Sequence, residues 1–182
     1  MGRPSRNRLA GHVEVDEAYW GGEGHKQRVG VAVDIKDKGS GRMRMQPLKG
    51  RTSADVKHVV QQHVEPGRTS ITDGLTSYCG LADEGYVHKP MRQSDVGGTH
   101  DPDADTLLPR VHRAISLVKR WRLGTYQGRL AHTYLDTYLN ECIFRFNRRT
   151  SRARGLVFHR RLDKAIAVDP APLQKIQRTH KI

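Results

Sequence analysis

Three separated polar residues have the types and settings for metal-assisted phosphodiester chemistry: Asp16 in HVEVDEAYWGG, Asp73 in TSITDGLTSY, and His112, seven residues before Lys119, in LPRVHRAISLVKRW. Each aspartate closes a short β-rich run and is followed by small or turn-forming residues, which predicts a carboxylate at a strand end within reach of a cation. Mg²⁺ prefers octahedral oxygen coordination and takes one or two protein carboxylates with water and phosphate oxygens. Two aspartates on neighbouring strand ends would supply that set. With two ions roughly 3.5 to 4 Å apart, one activates the attacking hydroxyl or water and the other stabilises the leaving oxygen. Asp16 is the candidate bridging ligand and Asp73 a flanking one. Taken singly, each has a plainer explanation, because aspartates in TDG and VDE settings commonly make turn hydrogen bonds.

On a helix, His112 shares a face with Ile115, Lys119 and, one turn on, Arg122, so imidazole and ammonium lie within two turns of each other. A metal ligand and a phosphate anchor could share that face, and a surface histidine on a basic helix is the simpler alternative. Imidazole is a softer ligand than carboxylate, so a site containing His112 would lean toward Mn²⁺ relative to an all-oxygen one.

These residues need a scaffold, and the apolar pattern outlines one. Val13 to Trp20 reads as a strand ending near Asp16 and running into the Gly21-Gly22 turn. Val29 to Ile35 is an apolar run suited to burial on both faces. Lys36 to Arg42 is a hairpin connection, and Met43 to Leu48 alternates as a third strand, completing a meander. Ser53 can cap a helix from Ala54 to about Val64, closed by Pro66-Gly67. TSITDG is a short strand delivering Asp73, followed by a short helix around Tyr78 to Glu84 and a strand at Tyr86 to Met91. Gly97 to Asp105 reads as a mobile loop. Two helices, Leu107 to Leu123 and His132 to Arg148, flank a GTYQG turn, and the tail from Ser151 is basic and only partly ordered. The order implies an α/β fold, a mixed sheet with helices on both faces, in which Asp16 and Asp73 occupy neighbouring strands.

A chain of 182 residues fits one domain with a real core. The expected division is a short basic segment over 1–12, a catalytic domain over 13–150 and a basic tail over 151–182. The formal charge of +13 points to a polyanionic partner. Residues 1–105 hold 15 Lys/Arg and 15 Asp/Glu, whereas residues 106–182 hold 17 and 4, so the whole excess lies in the C-terminal part. Charge alone also suits a simple nucleic-acid-binding module. Cys79 and Cys142 are too few for a disulfide framework and lack CxxC spacing, which predicts free thiols in a reducing compartment. No stretch has signal-peptide or membrane-span character, which predicts a cytoplasmic, nucleoid-associated protein without a membrane partner.

VDEAYWGG, ITDG followed by a tyrosine, SLVKRW with GTYQG, and YLNECIFRFNRR resemble the signature blocks of bacterial insertion-sequence transposases, the ISXO-type group of DDE transposases. The blocks run in the family's order from Glu14 to Arg149, and FRFNRR is the most specific. The resemblance implies an RNase H-like fold with Asp16 and Asp73 as the first two metal ligands, for Mg²⁺ or Mn²⁺. In this group the third position is Glu, Asn or His seven residues before a lysine, which gives His112 with Lys119. Glu141 is the competing third acid, but an ion pair with Arg145 at i+4 explains it more simply. Lys119 would then contact the phosphate beside the scissile bond as a compact point charge. Arg120, Arg122, Arg145, Arg148, Arg149, Arg152 and Arg154 are candidate DNA-backbone contacts, which position DNA without reading sequence. Trp20 either stacks on a frayed base at the cut or fills the core.

Two departures from the family pattern stand out. Gln127 occupies a position in GTYQG where the family often has His, and no C-x₂-C spacing precedes Asp16 in this sequence, so no end-recognition region like that of full-length relatives is expected before it. The expectation is a truncated copy or a stand-alone catalytic domain. Three functions follow: a transposase that cleaves DNA at element ends and joins them to target DNA, with a homo-oligomer synapsing the ends; a non-catalytic DNA-binding remnant; or an RNase H-like nuclease acting on RNA.

Overall fold

The apolar alternation of the first fifty residues builds a meander, two later strands extend its sheet, and helices pack on the two faces. The computed structural model describes residues 8–21, 26–37, 39–50, 52–92, 107–127 and 132–167. Its strands are β1 (Val13–Trp20), β2 (Gln27–Lys36), β3 (Gly39–Pro47), β4 (Thr69–Thr72) and β5 (Val87–Pro90); its helices are α1 (Ser53–His63), α2 (Pro109–Tyr126), α3 (Leu135–Asn147) and α4 (Arg154–Ile166). The sheet order is β3-β2-β1-β4-β5. β1 to β3 pair antiparallel, whereas β4 runs parallel to both β1 and β5. The central β1 therefore meets the meander on one side and the parallel pair on the other. This is the mixed sheet with helices on both faces that the sequence implied.

Successive side chains on a strand point to opposite faces. Val13 and Val15 of β1 join Ala32 in a core with Val56 and Val60 of α1, Leu9, Tyr78 and Leu81. Ala18 and Trp20 join Val29, Val31, Val33, Met43 and Met45 in a second core, closed by Val111, Ala114 and Val118 of α2 and Leu135, Leu139 and Phe146 of α3. β2 is buried on both faces from Val29 to Val33, as its unbroken apolar run predicted. Gly30 makes the close approach of α1 possible, because a Cβ there would lie 2.6 Å from a Val59 methyl.

Several boundaries differ from the sequence reading. Asp16 is in the middle of β1, since antiparallel pairing with β2 carries the strand on to Trp20 after parallel pairing with β4 has stopped. β3 begins at Gly39, so the hairpin is tighter than the Lys36 to Arg42 connection. The cap of α1 is Thr52, whose hydroxyl accepts from the Asp55 amide while the Asp55 carboxylate accepts from the Thr52 amide. Ser53 instead donates its hydroxyl to the Ser77 carbonyl. The expected helix around Tyr78 to Glu84 is a 3₁₀ turn at Thr76–Tyr78 followed by turns through residue 85, where Gly80 and Gly85 adopt positive φ. Gly124 to Tyr126 stay in α2, which ends on a left-handed Gln127 at φ 50°. A 3₁₀ turn at His132–Tyr134 leads into α3. Part of the tail read as only partly ordered is α4. The loop expected at Gly97 to Asp105, Gly22, Gly128 and the tail beyond residue 167 lie outside the described residues.

Candidate active site

The parallel register pairs Val13 with Ser70 and Glu14 with Ile71, and continued by two residues it brings Asp16 level with Asp73. Both aspartates thus sit where β4 stops and β1 runs on. Asp16 lies on the α2 face of β1, the face of Ala18 and Trp20. There the His112 Nε2 is 3.1 Å from Asp16 Oδ2. The other oxygen, Oδ1, accepts the Glu17 amide at 2.7 Å. Asp73 Oδ1 accepts the Leu75 amide at 3.2 Å, the turn hydrogen bond expected of a TDG aspartate.

Burial raises the Asp16 carboxyl above the ordinary range, and the neighbouring Asp73 and Glu17 charges add to it, against the lowering effects of the Glu17 amide and His112. Beneath the site, burial pushes the Tyr78 hydroxyl up, and the charges of Glu17 and Asp16 push it further. Thr72, fully buried next to Asp73, contacts the His88 Nε2 at 3.0 Å and accepts the Gly74 amide. Burial lowers the His88 imidazole. Among the described residues, no group of three or more His, Cys, Asp or Glu side chains is close enough together to hold a metal ion. Asp16 and His112 are in contact, and the Asp73 charge acts on Asp16 from the end of β4. The donor set still fits a hard divalent cation: Asp16 on β1 and Asp73 directly after β4 are near enough for the Asp73 charge to act on Asp16, and Asp16 is desolvated enough for its charge to lack full compensation.

The remaining candidates divide by their partners. Lys119 and Arg120 are exposed on α2. Arg122 is half-buried, donates to the Gly21 carbonyl at 3.0 Å and lies over the Trp20 ring. Trp20 is 3% exposed, so the core role holds and stacking on a frayed base does not. Glu141 accepts from Arg145 at 2.8 Å, the expected i+4 pair, and from the Tyr126 hydroxyl at 3.1 Å. Arg148 stacks over Phe144. Arg149 stacks over Phe146 and donates to the Gly41 and Ser40 carbonyls. Arg152 is exposed, and the Arg154 side chain lies outside the described residues.

Sequence reasoning passed over two carboxylates. Glu14 is 2% exposed and accepts the Arg110 and Val111 amides of α2. Glu17, on the opposite face, pairs with Arg28 at 2.9 Å. The available signal was a pair of acids flanking Asp16 in a strand whose neighbours are apolar.

Some solved structures are similar at low identity. One is a simian T-cell lymphotropic virus intasome in complex with PP2A regulatory subunit B56 gamma, at 15% identity and TM-score 0.49, covering 79% of this chain and 51% of that one. The chain thus spans about half the length of that intasome chain. Another is the HTLV-2 integrase catalytic core domain in complex with magnesium, at TM-score 0.48: its dimeric form is 15% identical with 79% and 90% of the two chains covered, and its trimeric form 16% identical with 79% and 89%. No match was found among curated proteins. The ISXO2-like transposase domain matches residues 8–147, well over half of the sequence, and the chain therefore belongs to the ISXO2-like transposase family.

Proposed function

We propose that this chain is the catalytic domain of a DNA transposase, carrying out metal-dependent strand cleavage at element ends and transfer of the freed 3′-hydroxyl to target DNA. The observation that carries this reading is Asp16 with His112 at 3.1 Å and the Asp73 charge acting on it from the end of the neighbouring strand. Asp16 and Asp73, with His112, would hold Mg²⁺ or Mn²⁺, which when bound activates the attacking hydroxyl or water and neutralises charge at the phosphate. Asp16 keeps one oxygen on the Glu17 amide, which fixes the carboxylate plane, and presents the other toward α2. Asp73 is fixed in the same way by the Leu75 amide. Lys119, exposed two turns along α2 from His112, meets the phosphate beside the scissile bond as a point charge.

Exposed Lys119, Arg120 and Arg152 are the cations best placed to hold the DNA backbone, with Arg145 and Arg148 as further candidates. Arg122 and Arg149 already bridge protein groups and serve the scaffold first. The other partners are element ends, target DNA and a second copy of the chain during synapsis. No helix among the described residues is long and apolar enough to cross a membrane.

The test is cleavage and strand joining on labelled DNA carrying the element's ends, with Mg²⁺ or Mn²⁺, comparing wild type with Asp73→Ala and His112→Ala. Activity present in wild type and lost in both variants supports the reading. A wild-type chain that binds DNA but never cuts it would identify a non-catalytic remnant, and cutting confined to RNA in a hybrid would identify a nuclease of the other class.

A further inference from the structure

We infer that Glu14 is a positioning residue for the candidate site, holding the first turn of α2 so that His112 meets Asp16. The first amides of a helix have no partner within it. In α2 the cap residue Leu108 offers no side-chain acceptor and Pro109 has no N–H. The His112 amide reaches the Leu108 carbonyl at 3.0 Å. That leaves Arg110 and Val111, and both donate to a single oxygen, Glu14 Oε2, at 2.8 Å each. The second oxygen, Oε1, accepts the Arg110 guanidinium at 3.3 Å. The carboxylate is 2% exposed and also faces the positive end of the helix dipole.

Glu14 therefore caps α2 from another element of the fold. It lies two residues before Asp16 on the same face of β1, and the amides that it holds belong to the two residues preceding His112. One carboxylate consequently fixes the distance between the strand that carries Asp16 and the helix that carries His112. Because both of its oxygens accept from protein donors of α2, Glu14 acts through His112 and not as a third carboxylate ligand.

This inference rests on the proposed reading of His112 as a metal ligand, and its test separates the two. Mn²⁺ bound to the full chain is examined by electron spin-echo envelope modulation, which detects a directly coordinated imidazole nitrogen. Wild type is expected to show the nitrogen modulation and His112→Ala to lack it. Glu14→Ala is expected to lack it as well, while still binding Mn²⁺ roughly 10- to 100-fold more weakly, the usual consequence of removing a group that orients a ligand. Glu14→Gln should restore the modulation, because its amide oxygen still accepts from Arg110 and Val111 while the Arg110 side chain swings outward. Where Glu14→Ala does not fold, Glu14→Asp, one methylene too short to span the gap, carries the comparison and should lose the signal. Modulation that survives in Glu14→Ala or Glu14→Asp overturns the inference alone. A wild-type spectrum without it overturns the ligand reading of His112 and this inference with it.

Discussion

Asn147 grips both backbone polar groups of Met43: its Oδ1 accepts the Met43 amide at 2.7 Å and its Nδ2 donates to the Met43 carbonyl at 3.1 Å. Met43 lies on β3, the edge strand of the sheet, and Asn147 is the last residue of α3. The Asn of FRFNRR thus ties a helix end to a strand edge. Asn147→Ala would leave both groups without that partner and is expected to cost about 2 to 3 kcal/mol. Urea unfolding should show a lower midpoint with an unchanged slope.

Asp16 illustrates a conflict between stability and function. Its carboxyl is raised by burial, so the folded state disfavours the charged form that cation binding needs. Asp16→Asn keeps an oxygen for the Glu17 amide and removes the buried charge. It is expected to raise the metal-free unfolding midpoint at neutral pH while abolishing strand cleavage and leaving salt-sensitive DNA binding nearly intact. Paired unfolding and cleavage assays check both halves, and a lowered midpoint would contradict the first.

His63 supplies a pH signature remote from the site. Burial, with the charges of Arg44, His58 and Arg8, lowers its imidazole to about 4, and its Nε2 has no partner among the described residues. Below its ordinary value the unfolded chain takes up a proton that the folded chain refuses. The stabilisation is therefore fully present above about pH 6.5 and is lost as pH falls toward 4, by about 3 kcal/mol. His63→Phe should flatten that slope in unfolding measured across the same range.

Gly30 sits under α1, where any side chain meets Val59. Gly30→Val is expected to cost about 1 to 3 kcal/mol through overpacking. The thermal midpoint reads it, and a Val59→Ala partner substitution should recover part of the loss.

Lys119 should act on DNA through charge alone. Lys119→Ala is expected to weaken binding equally across sequences and to reduce the slope of log affinity against log salt by roughly 1. A filter-binding salt series compares it with wild type, and an unchanged slope would place the phosphate contact elsewhere.

The sequence made the meander, the strand delivering Asp73 and the helix carrying both His112 and Lys119 legible, because each rests on local periodicity. What escaped depends on partners far along the chain. Nothing local to LPRVH reveals that α2 is capped by Glu14, some ninety-six residues earlier in the chain. Arg122 and Arg149 are candidate DNA-backbone contacts by sequence, yet distant carbonyls engage them. The tail helix α4 was hidden by its charge, since basic residues interrupt the apolar positions Leu156, Leu162 and Ile166.

The grip of Asn147 on Met43 has a consequence for self-association. An edge strand is a template for recruiting another chain by backbone pairing. Here Asn147 occupies both polar groups of Met43, and Arg149 covers the carbonyls of Gly41 and Ser40 just before it. The opposite edge, β5, is four residues long and ends in Pro90, which has no amide to offer. Strand addition is blunted at both margins, so copies of this domain that come together are directed to helical and loop surfaces, and misassembly into continuous sheets is disfavoured from the start.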